Sequence, residues 1–132
     1  MICKFSLTKE GNKAVSKNFK VREFKCKGTD EVYIDHELLV FLQQIRNHYG
    51  KPLHITSAYR TAKHNKAVGG KNNSQHLKGK GCDFYIEGID TLELYYYCDL
   101  LIGDNGGVGY YPDKHIVHID TRGSRARWET KG

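Results

Sequence analysis

The sequence predicts an α+β domain, and three observations carry that expectation. At 132 residues the chain is long enough for one core and too short to divide comfortably into two. Two segments show the three- and four-residue apolar spacing of helices, and several short runs alternate like strands. These segments follow one another too irregularly for a doubly wound sheet.

The elements follow in order. Residues 1–30 mix lysines with isolated apolar positions, and Phe19, Val21 and Phe24 suggest a short strand or an edge segment over the core. Asp35 is a good N-cap for the clearest helix, with Glu37 in the first turn and Gly50 and Pro52 closing it. Leu38, Leu39, Phe41, Leu42, Ile45 and Tyr49 form its apolar face, and His36 and His48 read as surface histidines. Leu53 to Ser57 alternates like a strand. Thr61 caps a short helix through Val68, on which His64 reads as a surface residue, and Gly69-Gly70 ends it. The polar loop Lys71 to Gln75 leads to His76, and Cys82 to Ile86 is a short strand in which Cys82 is a small apolar residue. Asp90 or Thr91 starts a second helix that stops at Gly103; its three consecutive tyrosines, Tyr95 to Tyr97, cannot all be buried. A glycine-rich turn leads to Val108-Gly109-Tyr110-Tyr111, and Ile116 to Thr121 is the last strand. The basic tail from Arg122 to Gly132 carries the single tryptophan, Trp128, expected to pack its indole over the core.

Composition excludes several classes. No run of about twenty apolar residues is present, so no transmembrane helix and no membrane partner are expected. The start of the chain lacks a long apolar segment after a basic one, so no signal peptide is visible. The four cysteines, Cys3, Cys26, Cys82 and Cys98, form no Cys-x-x-Cys, which argues against a structural zinc ribbon. The formal charge of +6 suits an anionic partner such as nucleic acid, a membrane face or murein. The lysines are spread rather than clustered, which makes a soluble basic surface the simpler reading than a nucleic-acid-binding domain.

One stretch carries chemistry. In Ser74-Gln75-His76-Leu77-Lys78-Gly79-Lys80-Gly81-Cys82-Asp83-Phe84, a histidine precedes an aspartate by seven positions with two glycines between. Val117-His118-Ile119-Asp120 supplies a second histidine in an apolar alternating run. Two imidazoles and a carboxylate suit one Zn²⁺, and three protein ligands leave a fourth position for water. The spacing of His76 and Asp83 does not fit one helical face and fits a loop entering a strand. Asp83 and His118 each sit between apolar neighbours, where an unpaired polar side chain is costly.

Taken together and in order, Ser57-Ala58-Tyr59-Arg60-Thr61, His64 to Gly70, Ser74-Gln75-His76, Gly79 to Asp83 and Val117 to Asp120 resemble the zinc D-Ala-D-Ala carboxypeptidase family. That family includes phage murein endopeptidases and shares its fold with the hedgehog signalling domain. The similarity runs from about Phe19 through Trp128, and the ending from Gly109 to Trp128 resembles its short, single-domain branch. The resemblance implies a hedgehog/DD-peptidase-like fold, with a small, mostly antiparallel sheet and flanking helices. It implies metal ligation by His76, Asp83 and His118 and substrate binding by Ser57, Tyr59 and Arg60. A planar, permanently charged Arg60 stabilises an oxyanion or holds a carboxylate, and Ser57 orients it or meets a ligand.

One departure matters. Many relatives place an acidic general base three residues before the last ligand, and here that position is His115. Asp120, two residues after His118, shares its strand face and suits a base or a carboxylate supporting the ligand. His115 and Asp113 are the other candidates. The expectation is therefore a zinc-dependent peptidase acting on peptidoglycan stem peptides, with carboxypeptidase and endopeptidase both open. It is a monomer made in the cytoplasm, acting in the cell wall or periplasm as a phage endolysin would. Residues 1–132 form the single zinc peptidase domain, with 1–18 as its candidate peripheral segment. The rivals are a catalytically inactive zinc-containing wall-binding module and a basic nucleic-acid-binding domain.

Overall fold

The computed structural model describes residues 1–130. The N-terminal third carries β1 (Ile2–Ser6), α1 (Leu7–Glu10), β2 (Ala14–Ser16), β3 (Phe19–Lys20), β4 (Glu31–Asp35) and α2 (His36–Tyr49). Then come β5 (His54–Ser57), α3 (Ala62–Ala67), β6 (Gly81–Tyr85), α4 (Thr91–Ile102), β7 (Gly107–Tyr111), β8 (Ile116–Asp120) and β9 (Ala126–Glu129). The architecture is α+β, as expected.

The central sheet has five strands in the order β5-β6-β8-β7-β9, antiparallel except where β9 joins β7 in parallel. Alternation gives it two unlike faces. Cys82, Phe84, Val108, Val117 and Ile119 are fully buried and share one core cluster with Leu94, Cys98 and Ile102 of α4 and Leu38, Leu42 and Ile45 of α2. Each such large apolar side chain contributes about 1.5–3 kcal/mol on burial. The opposite face carries the polar residues. Cross-strand pairing aligns Ser57, Asp83, His118, Gly109 and Trp128 in a single row across all five strands.

Local chemistry explains the element ends. Gly50 closes α2 in the left-handed conformation, and Thr61 caps α3 by accepting from the His64 N–H. Asp90 caps α4 by accepting from the Glu93 N–H. Asp35 precedes α2 as expected but does not cap it; its buried carboxylate accepts from Thr121 Oγ1 at 2.6 Å, tying β4 to the end of β8.

Three features depart from the sequence expectations. Residues 19–24 are a two-residue strand followed by a 3₁₀ turn, and Phe19, Val21 and Phe24 lie inside the core. Residues 1–18 contain β1, paired along its length with β4, while Phe5, Leu7 and Val15 pack against the core. Residues 126–129 of the basic tail form strand β9, locked to α4 by Arg127, which donates to Asp99 Oδ1 and to the carbonyls of Gly103 and Gly106; residues 131–132 lie outside the described residues. Of the three tyrosines on α4, Tyr96 is the exposed one. Among the described residues no helix is long and apolar enough to cross a membrane.

Candidate metal centre

His76 sits in a 3₁₀ turn spanning Gln75–Lys78, whose start is capped by Ser74 Oγ accepting from the His76 N–H. Gly79 closes that turn with φ +72, and a side chain there would run into the Tyr33 carbonyl. The Gly79 carbonyl also accepts from the Asp35 N–H, so the turn is fastened to β4. Asp83 and His118 project from the paired central strands β6 and β8. The turn and the two strands bring the three side chains together, with one candidate ligand atom from each lying within 4.8 Å of the others.

The hydrogen bonds decide which atoms face inward. His76 Nδ1 lies 2.6 Å from the Ala58 carbonyl, which can only accept, so Nδ1 carries the proton and Nε2 is directed at Asp83, 3.2 Å away. His118 Nδ1 lies 2.8 Å from Asp83 Oδ1, while its Nε2 meets Asp120 Oδ2 at 2.7 Å. Each imidazole thus has one nitrogen held from behind and one turned toward the shared centre, the arrangement of metal-binding histidines. All three side chains are buried, with relative exposures of 4% for His76, 8% for Asp83 and 5% for His118. Two imidazole nitrogens and a carboxylate oxygen in this geometry fit a divalent metal of borderline softness.

The charges are strongly coupled. Burial pushes the Asp83 carboxyl upward, and hydrogen bonds from His118 and His76 outweigh it, holding it well below the usual carboxylate range. Burial lowers His118, but Asp120 and Asp83 prevail and carry the imidazole up to about 9. Burial likewise raises Asp120, and its bonds from Arg122 and His118 hold it far below its ordinary value.

Asp120 is fully buried behind His118. Its Oδ1 accepts from the Gly107 N–H at 2.8 Å and Arg122 Nε at 2.9 Å, and its Oδ2 accepts from Arg122 Nη2 at 2.6 Å. It shares a strand face with His118, as expected, but it lies against the ring nitrogen that points away from Asp83. His115 and Asp113 are not brought to the centre. His115 is an exposed residue with φ +56 beside a separate depression formed by residues 85–91 and Leu94, and Asp113 is exposed on the turn after β7.

Arg60 does reach the centre. Its Nη2 lies 3.6 Å from Asp83 Oδ2, Nε donates to Ser57 Oγ at 3.0 Å, and Nη1 donates to Asn65 Oδ1 at 3.2 Å. Ser57 therefore orients the guanidinium. Tyr59 turns to the Tyr33 ring, centroids 5.2 Å apart, and is not among the residues lining the cleft. The cleft itself encloses about 380 Å³, and its charged rim is cationic: Arg60, Lys71, Lys114 and Arg122, with Asp83 as the one acid among the described lining residues.

The profile of the family described as peptidase M15 matches residues 16–120. The chain belongs to the peptidase M15 family. That membership agrees with the resemblance to zinc D-Ala-D-Ala carboxypeptidases and murein endopeptidases. Among its relatives is the probable peptidoglycan L,D-endopeptidase MepK of Haemophilus influenzae, 32% identical over 126 residues that cover 89% of this chain and 66% of that protein. Another is the peptidoglycan L,D-endopeptidase MepK of Escherichia coli K12, 39% identical over 80 residues, 57% of this chain and 43% of that protein. The chain thus spans between about two-fifths and two-thirds of the length of these relatives.

Sequence reasoning gave no site role to four residues that the fold brings here, and Trp128, expected over the core, lies instead on the polar sheet face against Gly109 and His118. Asn65 is buried and holds Arg60 while its amide donates to the Lys71 carbonyl at 2.8 Å. Arg122 clamps Asp120, and Tyr111 and Trp128 line the cleft. The period-two alternation of β7 and β8 carries a signal for Tyr111, which lies on the His118 face; nothing local marks Trp128, whose strand partner is distant in sequence.

Proposed function

We propose that this chain is a zinc-dependent peptidase that hydrolyses peptide bonds in peptidoglycan stem peptides. The observation that carries the reading is the convergence of His76 Nε2, His118 Nδ1 and the Asp83 carboxylate at one edge of a cationic cleft. Bound by these three residues, Zn²⁺ supplies Lewis acidity toward a peptide carbonyl and lowers the pKa of water. Ala58 and Asp120 fix the tautomer and orientation of the two imidazoles. Asp120 is a positioning residue in this reading rather than the proton carrier, because both of its oxygens are already taken by the Gly107 amide, Arg122 and His118. Arg60, braced by Ser57 and Asn65, offers its fork to the substrate carbonyl or carboxylate.

Substrate class follows from charge and from the relatives. A rim of four cations suits stem peptides, which carry free carboxylates. Both relatives bear the name peptidoglycan L,D-endopeptidase, which favours an internal bond over a terminal one. Such an enzyme meets its substrate in the cell wall or periplasm, and delivery by phage lysis is one route there. The absence of any further carboxylate among the described lining residues favours one alternative, a zinc-containing wall-binding module without turnover. Mass spectrometry of muropeptides after incubation with zinc-loaded protein decides between them. New peptide termini support the peptidase and name the bond; intact muropeptides with stoichiometric zinc support the binding module.

A further inference from the structure

Tyr111 ends β7 on the same sheet face as His118 and lines the cleft together with Arg60, His76 and Asp83. Its hydroxyl oxygen already accepts a hydrogen bond from Trp128 Nε1 at 2.9 Å. An indole N–H can only donate, so the tyrosine's own proton must be directed elsewhere. No acceptor for it is present among the described residues. The side chain lines the same cleft as Asp83 and Arg60, and the charges of Asp83, Arg60 and Asp120 act on its hydroxyl. Burial raises its pKa, so it remains a protonated donor through neutral pH.

The tryptophan that holds this hydroxyl is itself held. Its indole lies flat over Gly109, where a Cβ would collide with Nε1 and Cε2. Its ring centroid is 5.1 Å from that of His118, and the Arg122 guanidinium lies over it at 5.2 Å. A glycine in the strand, an edge strand recruited from the tail and a cation–π contact thus combine to fix one hydroxyl. A tyrosine serving only to fill space needs no such donor behind it.

Resting on the peptidase reading above, we propose that Tyr111 is a catalytic residue whose O–H donates to the carbonyl oxygen of the scissile peptide, with Trp128 as its positioning residue. Tyr111 and Arg60 then supply two fixed donors where negative charge develops, a role that needs no carboxylate in the cleft. Water adds to the carbonyl carbon, the electron pair moves to the carbonyl oxygen, and the two donors hold that oxygen without transferring a proton to it. Collapse then breaks the C–N bond, and the amine leaves with a proton derived from water.

The test compares wild type, Tyr111→Phe and Trp128→Phe, all zinc-loaded, on muropeptides purified from sacculi, with zinc content measured on the same samples. Tyr111→Phe is expected to lose about 10²–10³ in kcat with KM within about twofold of wild type and zinc still stoichiometric, as for removal of an oxyanion donor. Trp128→Phe is expected to lose about tenfold, because the hydroxyl persists without its anchor. Muropeptide affinity of the zinc-free proteins, read calorimetrically, is expected to stay within about twofold in Tyr111→Phe, since the bond strengthens only as charge develops. A Tyr111→Phe protein within threefold of wild-type kcat overturns the proposal, as does a loss that tracks lost zinc or lost ground-state affinity. An inactive wild type contradicts instead the peptidase reading on which the proposal rests.

Discussion

His118 and Asp120 stand two residues apart on β8, and the imidazole Nε2 meets the buried carboxylate at 2.7 Å. That contact leaves Nδ1 as the nitrogen turned to Asp83 and ties the candidate ligand to Arg122 and the Gly107 amide behind it. Replacing Asp120 by Asn keeps the shape but removes the charge that orients the ring. Zinc affinity, measured by competition with a chelator, is expected to fall 10–100-fold. Unchanged affinity in a folded variant would show that the carboxylate serves only Arg122.

The metal-free protein is expected to show a pH optimum of stability set by this cluster. Asp83 and Asp120 are depressed below the ordinary value of 3.8, so their contribution is complete above that value and is lost as pH falls. His118 is raised from 6.5 to about 9, so its contribution is complete below 6.5 and disappears as pH rises through about 9. Thermal unfolding of chelator-treated protein should therefore give its highest Tm between roughly pH 4 and 6.5. A Tm still rising from pH 7 to 9 would contradict the imidazolium between two carboxylates.

Gly109 faces the Trp128 indole across the β7–β9 pairing, with no room for a Cβ. Gly109→Ala must displace the ring, and overpacking of this kind typically costs about 1–3 kcal/mol. Chemical denaturation measures the loss, and the fluorescence of the sole tryptophan reports the displacement. An unshifted spectrum and unchanged stability would mean that the indole is not seated there.

Arg60 is braced by Ser57 and Asn65 through two different nitrogens. Lysine offers a single point charge and cannot keep both contacts while reaching the substrate. Arg60→Lys is expected to lower kcat/KM on muropeptides about 10²-fold or more with zinc retained. Near-wild-type turnover would reduce Arg60 to a neutraliser of Asp83.

Much of the fold is legible in the sequence because its signals are local. The heptad-like spacing of Leu38, Leu42 and Ile45, the Thr61 cap and the Gly50 stop give α2 and α3 with nearly their observed ends. The three converging residues are legible because two of them interrupt apolar strands and the third sits in a turn capped by Ser74. What remained hidden depends on partners far away in sequence. Asp35 has the composition of an N-cap, yet Thr121 takes its carboxylate. Residues 126–129 alternate apolar and charged over only four positions, too short a run to stand alone, and become β9 because the β7 edge and Asp99 receive them. The same long-range pairing brings Trp128 and Tyr111 to His118, and it also explains the fate of His115. The Pro112–Lys114 turn ends in a left-handed residue that sends that histidine to another face.

The most direct measurement is zinc content per chain by mass spectrometry after exhaustive dialysis, for wild type, Asp83→Ala and His118→Ala, each verified as folded by circular dichroism. One ion per chain in wild type and almost none in either variant is the expected result. Stoichiometric zinc in a variant, or a wild type that retains none, would contradict a metal held by His76, Asp83 and His118.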